Sequence, residues 1–378
     1  MKKTQMLAWF AASSLATAAW GQSSVTLYGV VDTGVEYLSH ANAQNESLFR
    51  MPAVTGLVPS RWGLRGTEDL GGGDRAIFTL ESGFNTRGGD LGQGGRLFGR
   101  QAWVGLESRY GTLTFGRQYT MTYIAMLENE IMGPSIYGLA SLDAYIPNAR
   151  SDNTVAYKIT YSGFTFGATY SFGRDSAGTG NSPGQGTCAG SAAGDFQQCH
   201  QWSAMAKYDA PNFGMDVSYD QQHGGTGAAG SFFDGVASIP ITNSADRDTR
   251  MQANAYVKFF GATVDAGWLG RWVEPSSQQI ASVRSDLFFL GAHYQFTPSV
   301  IVDGAVYRIM TKQHDTRATL GAARVLYLLS KATIAYAQLG YLSNSARARY
   351  SVSAGGAGAT PPAVSNQTGV MIGVRHNF

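Results

Sequence analysis

Residues able to do bond chemistry are thinly scattered along this chain. The six histidines, His40, His200, His223, His293, His314 and His376, lie on different segments, with no His-x-x-x-His pair for zinc and no Gly-x-Ser-x-Gly elbow. Residues 71–76 (GGGDRA) match a dinucleotide fingerprint in letters only, because strand-type alternation follows where a helix is required. Cys188 and Cys199, the whole cysteine inventory, sit in a Gly/Ser/Ala-rich stretch. In an exported chain they suit a disulfide closing a small loop; the rivals are two free thiols, or a metal site with His200 that lacks further ligands nearby. What remains is charge. Arg61 shares parity with Arg65, and Arg150 with Lys158, while Glu81, Asp216 and Asp265 fall on the polar face of alternating segments. Such charges are unaffordable in a dry core but ordinary in water.

The elements that must carry them are strands. Phe164, Phe166, Ala168, Tyr170 and Phe172 alternate with Thr165, Gly167, Thr169 and Ser171; Val155, Tyr157, Ile159 and Tyr161 do the same just before, with Ser162 and Gly163 between. Met251 to Phe259 and Ala262 to Trp268 repeat the pattern around Phe260 and Gly261. Continued along the chain, the count reaches sixteen segments, from 24–39 through 58–68 and 96–108 to 367–378. Short connections alternate with long ones at about 40–57, 119–151, 174–199, 224–247 and 346–366. An even number of antiparallel strands with short turns on one rim and long loops on the other predicts an all-β fold, a 16-stranded transmembrane β-barrel with short periplasmic turns and long extracellular loops. In lipid a sheet survives only if closed, and sixteen strands enclose water rather than a packed core.

Composition agrees. The 378 residues include 48 Gly, 19 Phe and 19 Tyr but only 11 Pro, with no charged or Pro-rich linker to divide them. A mean hydropathy of −0.13, and no long apolar run after the N-terminus, exclude a polytopic helical membrane protein. Lys2 and Lys3, the apolar run Met6 to Ala16 and the small residues of 19–21 predict an export leader over 1–21, cleaved before Gln22, with one barrel domain over 22–378. Loss of the two lysines leaves 26 basic residues against 26 acidic, so a nucleic-acid partner loses its electrostatic support.

These segments resemble the general porins of Gram-negative outer membranes, of the trimeric sixteen-stranded type, over the whole mature chain. The motifs are 24–29 (SVTLYG), 60–71 (SRWGLRGTEDLG), 98–105 (FGRQAWVG) with 111–119 (GTLTFGRQY), and the final strand 369–378 (GVMIGVRHNF). The resemblance implies a third loop, 119–151, folded into the barrel, with acids facing a basic wall. Arg61, Arg100 and Arg150 match the wall arginines by position, with Arg65 and Lys158 on the same faces; Glu128 and Glu130, then Asp143, are the expected loop acids. Thr120 and Ile124 stand where acids are common in that family. Arg117 shares parity with the outward Leu113 and Phe115, where an arginine needs covering, and is expected to meet another subunit or pin a loop. Phe378 is the expected assembly signal. The implied function is a general diffusion porin, weakly anion-selective, passing ions and small hydrophilic solutes; the alternative is a substrate-specific channel for small carboxylates or sugars. Implied partners are a homotrimer, outer-membrane lipid and lipopolysaccharide, and the barrel-assembly machinery. No catalysis and no cofactor are expected, an outer-membrane hydrolase barrel being a remote rival.

Overall fold

Two apolar/polar periods joined by two residues of positive φ make a hairpin, and the chain builds its wall in this way. Ser162 and Gly163 have φ of 49° and 84°, and Phe260 and Gly261 have 49° and 78°, the sign that matches the right-handed twist of the flanking strands. The computed structural model describes residues 23–143, 149–174, 188–356 and 358–378; the expected leader, 1–21, lies outside them. Sixteen long strands form one antiparallel sheet. They are β1 (Ser24–Leu38), β2 (Arg61–Gly71), β3 (Asp74–Gly83), β4 (Gln101–Ser108), β5 (Gly111–Tyr119), β6 (Thr154–Tyr161), β7 (Phe164–Ser171) and β8 (Gln201–Asp209). The second half comprises β9 (Phe213–His223), β10 (Arg247–Phe259), β11 (Ala262–Glu274), β12 (Val283–Thr297), β13 (Val300–Thr311), β14 (Thr316–Leu328), β15 (Thr333–Asn344) and β16 (Gln367–Asn377).

The sheet closes through β1. Its first half pairs with β2, from Ser24 opposite Thr67 to Val30 opposite Arg61, and its second half pairs with β16, from Val30 opposite Asn377 to Leu38 opposite Gly369. Gly29 and Phe378 exchange both backbone hydrogen bonds, at 2.9 and 3.1 Å, so the last residue completes the seam. Outward residues such as Leu27, Val104, Phe166, Val217, Leu290 and Ile372 are exposed large apolar side chains. The short-turn rim adds exposed Tyr110, Tyr161, Phe213, Phe260 and Phe296. An apolar band edged by aromatics is the surface that a bilayer wets.

Two strands begin later than the alternation predicts, for reasons outside the ladder. The run expected from 58 starts at Arg61 because Asp32 clamps the preceding segment, its Oδ2 accepting from the backbone N–H of Leu57 and Val58 at 2.9 and 3.0 Å. The run expected from 96 starts at Gln101 because the Gly99 carbonyl is taken by the Arg117 guanidinium at 2.7 Å and Arg100 turns to Glu81.

A Cβ built on Gly29 would sit 2.8 Å from the Arg61 carbonyl oxygen and 2.3 Å from the Phe378 ring. Gly29→Ala should weaken the seam by about 1–3 kcal/mol. The compact band on an SDS gel should then convert to the unfolded form at a lower temperature than in the unsubstituted protein; an identical temperature would show that the seam absorbs a methyl group.

Candidate functional site

Loop 3 leaves the wall after β5 and crosses the barrel interior. Thr120 caps its helix α1 (Met121–Asn129), the side chain accepting from the Tyr123 N–H at 3.2 Å. Met121 and Ala125 pack on Ala156 and Met205 of the wall, while Tyr123 and Met126 join an apolar cluster with Ile136, Tyr137, Leu139 and the inward Leu287, Tyr307 and Leu320. Polar stitches fix the rest. Ile131 donates its N–H to Asp265 at 2.7 Å; Arg324 donates to the carbonyls of Ile131 and Met132 at 2.8 and 2.9 Å and pairs with Asp303 at 2.6 Å. Ser135 reaches Gln338 at 2.6 Å. The loop therefore touches β11, β13, β14 and β15 as well as its own side of the barrel.

The expected loop acids go to three different partners. Glu128 pairs with Lys207, Glu130 accepts from the Tyr307 hydroxyl, and Asp143 meets Arg250 at 3.1 Å. Arg250 also reaches Asp248 at 3.2 Å, and Asp248 is held by Arg271 at 2.7 Å, all four side chains being buried. None of the three acids is paired with the expected arginines. Those gather on a wall acid instead: Glu81 takes Arg100 at 2.7 Å, Arg61 at 3.4 Å, and the Tyr28 and Tyr119 hydroxyls at 3.0 and 3.1 Å. Arg150 lies over the Tyr119 and Tyr123 rings at 5.1 and 5.7 Å, and Arg65 over Tyr28 at 5.4 Å. Lys158 stands exposed on β6. Arg117 is buried against Asp152 at 2.5 Å, and Asp152 also holds Arg96 at 3.3 Å; this fastens the base of loop 3 to the connection between β3 and β4. Cys188 and Cys199 are bonded at 2.02 Å and sit in a small apolar cluster with Phe232, Ile241 and Val283, formed largely by the long loops themselves.

Sequence reasoning passed over Asp32, Lys207, Lys258, Arg324 and Arg375, and placed Glu81 in the lumen without a role. Parity was the available signal: Arg375 alternates with the outward Val374 and stands opposite Asp32 across the seam. Burial then treats the two signs unequally, although Arg100 and Arg150 are buried as deeply as the acids. Asp32, Glu81, Asp216, Asp265 and Asp303 are each 2–4% exposed, whereas Arg65, Lys158 and Lys258 are open, Arg61 and Arg375 are partly open, and Arg324 is largely covered. Glu128 and Asp209, acids that do reach water in this zone, share Lys207. Water in the narrowed lumen thus meets mainly cations.

A family model described as Gram-negative porin matches residues 7–347. The chain belongs to the Gram-negative porin family. Its place is accordingly the outer membrane of a Gram-negative cell. An outer membrane porin protein of Bordetella pertussis is 44% identical over 192 residues, about half of either chain (46% of this one, 48% of that one). Outer membrane porin protein 32 of Delftia acidovorans is 29% identical over 100% of both chains. The anion-selective porin from Comamonas acidovorans shares the fold with a TM-score of 0.73, at 23% identity, over 94% of this porin and 100% of that one.

Glu130 should give the loop 3 anchor a pH response. Burial pushes its carboxyl up to about 7, against Tyr307 and near Asp265. A carboxyl raised on folding stabilises fully below its ordinary value of 4.5, and that contribution is lost as pH climbs to about 7. The loop 3 anchor should be firmest in acid and loosen toward neutrality, read as open-channel current noise that rises across this window. Glu130→Gln should flatten the dependence; an unchanged pH profile in that variant would remove Glu130 from the response.

Proposed function

We propose that this porin is a passive, water-filled diffusion channel for ions and small hydrophilic solutes, with a preference for anions. The observation that carries the sign is the unequal burial of charge on the wall: five wall acids are 2–4% exposed, while Arg65, Lys158 and Lys258 stand open and the two acids that reach water, Glu128 and Asp209, share Lys207. Opposed charges set a transverse field, and the excess sign facing water sets selectivity. Structurally similar proteins fit this reading, one being an anion-selective porin and another a trimer form of the Vibrio cholerae outer membrane protein OmpT, with a TM-score of 0.64.

The working form is a homotrimer, in contact with outer-membrane lipid and lipopolysaccharide. Residues 1–21 act as a removable leader, and Phe378 is the signal handed to the assembly machinery. Arg117, neutralised within its own chain, stays near the subunit boundary as a loop pin. Channel function needs no catalytic group.

Neutralising Arg61, Arg65 and Arg375 to Gln together should move the reversal potential in a salt gradient toward cations. Screening limits each charge to about 8 Å at physiological salt, so the shift should shrink as salt rises. The measurement is a planar-bilayer recording at low and high salt. An unmoved reversal potential at low salt would place the filter on other residues.

A further inference from the structure

Helix α1 turns three faces to three surroundings. Tyr123 and Met126 enter the loop core, and Met121 and Ala125 lie on the wall. The third face carries Ile124, partly covered, and Leu127, which keeps 37% of its surface open inside an aqueous lumen. This face borders a cavity of about 360 Å³ that it shares with the wall strands β4, β5 and β6. Trp103 projects into the cavity from β4 with its indole N–H turned to Gln101, at 3.0 Å, leaving the ring for apolar contact. Lys158 borders the same cavity from β6, directly opposite Thr112. Among the described residues Lys158 forms no ion pair, while the acid on the rim, Glu128, turns to Lys207, which it shares with Asp209.

An indole and two aliphatic side chains beside one uncompensated ammonium form a site with an apolar body and a single anionic end. The volume lies in the range of small-ligand pockets. We propose that this cavity is a transit subsite for small monocarboxylates bearing an aromatic or short branched apolar body. The inference rests on the channel reading above and adds a substrate class to it. The carboxylate meets Lys158 and the Thr112 hydroxyl; the body displaces water from Trp103 and Leu127.

The test uses the purified porin in planar bilayers carrying chloride current, with benzoate and acetate as probes. Benzoate should depress the current saturably, at a half-blocking concentration about tenfold below that of acetate, since burial of the ring is the only difference in body. The readout is the benzoate-to-acetate ratio within one channel, so changes in bare conductance cancel. Trp103→Ala and Leu127→Ser should each collapse that ratio toward one, Leu127→Met should retain it, and Lys158→Gln should weaken block by both anions. Equal block by the two probes, or a ratio unmoved in both Trp103→Ala and Leu127→Ser, would overturn the subsite while leaving the channel reading intact. A porin that carries no chloride current at all would overturn the channel reading itself.

Discussion

An unpaired backbone N–H or C=O in hydrocarbon costs several kcal/mol, and the rest of this structure follows from avoiding that cost. A sheet of sixteen strands has two edges unless it closes, so β1 must find β16. Closure fixes the diameter, the diameter leaves a lumen, and the lumen is wet. Each strand then divides its side chains between two solvents, which is why Val30 and Asp32 can share an inward face with Glu36 while Val31 and Val35 look outward. Irregular backbone is confined to the rims and to the inside of the barrel, where protein and water supply its partners.

The interior is built on a second principle. Loop 3 fills one part of the lumen with an apolar cluster and stitches the remainder to the wall through buried, paired polar groups. Burial of this kind is costly for an acid unless donors surround it, and Asp303 has such donors in His293 and Arg324. Lysine and arginine have longer side chains and can reach water from the same wall positions. A chain close to balance in its formal charges thus presents an unbalanced surface to the solution inside it.

The barrel itself was legible from local pattern. Period-two alternation over Phe164–Ser171, and the turns at Ser162–Gly163 and Phe260–Gly261, appear where the residues predict them. The constriction was less legible because its pairings join residues distant in sequence. Asp143 finds Arg250 across 107 positions and Glu130 finds Tyr307 across 177. Nothing in either local segment records the other. Parity could mark Arg375 as inward, but it could not tell that Glu81 would claim Arg61 and Arg100 before any loop acid did.

The double pairing of β1 also has a consequence in time. Its second half can be satisfied only by residues more than 330 positions away, the longest closure the chain makes. Contacts that distant are the slowest to form, because the entropy of the intervening chain must be given up before they are rewarded. Until the final strand arrives, β1 presents an open edge able to pair with another chain. Protection of that edge during synthesis and transit is therefore a kinetic requirement written into the topology, and sealing of the barrel waits on β16 rather than on any earlier part of the chain.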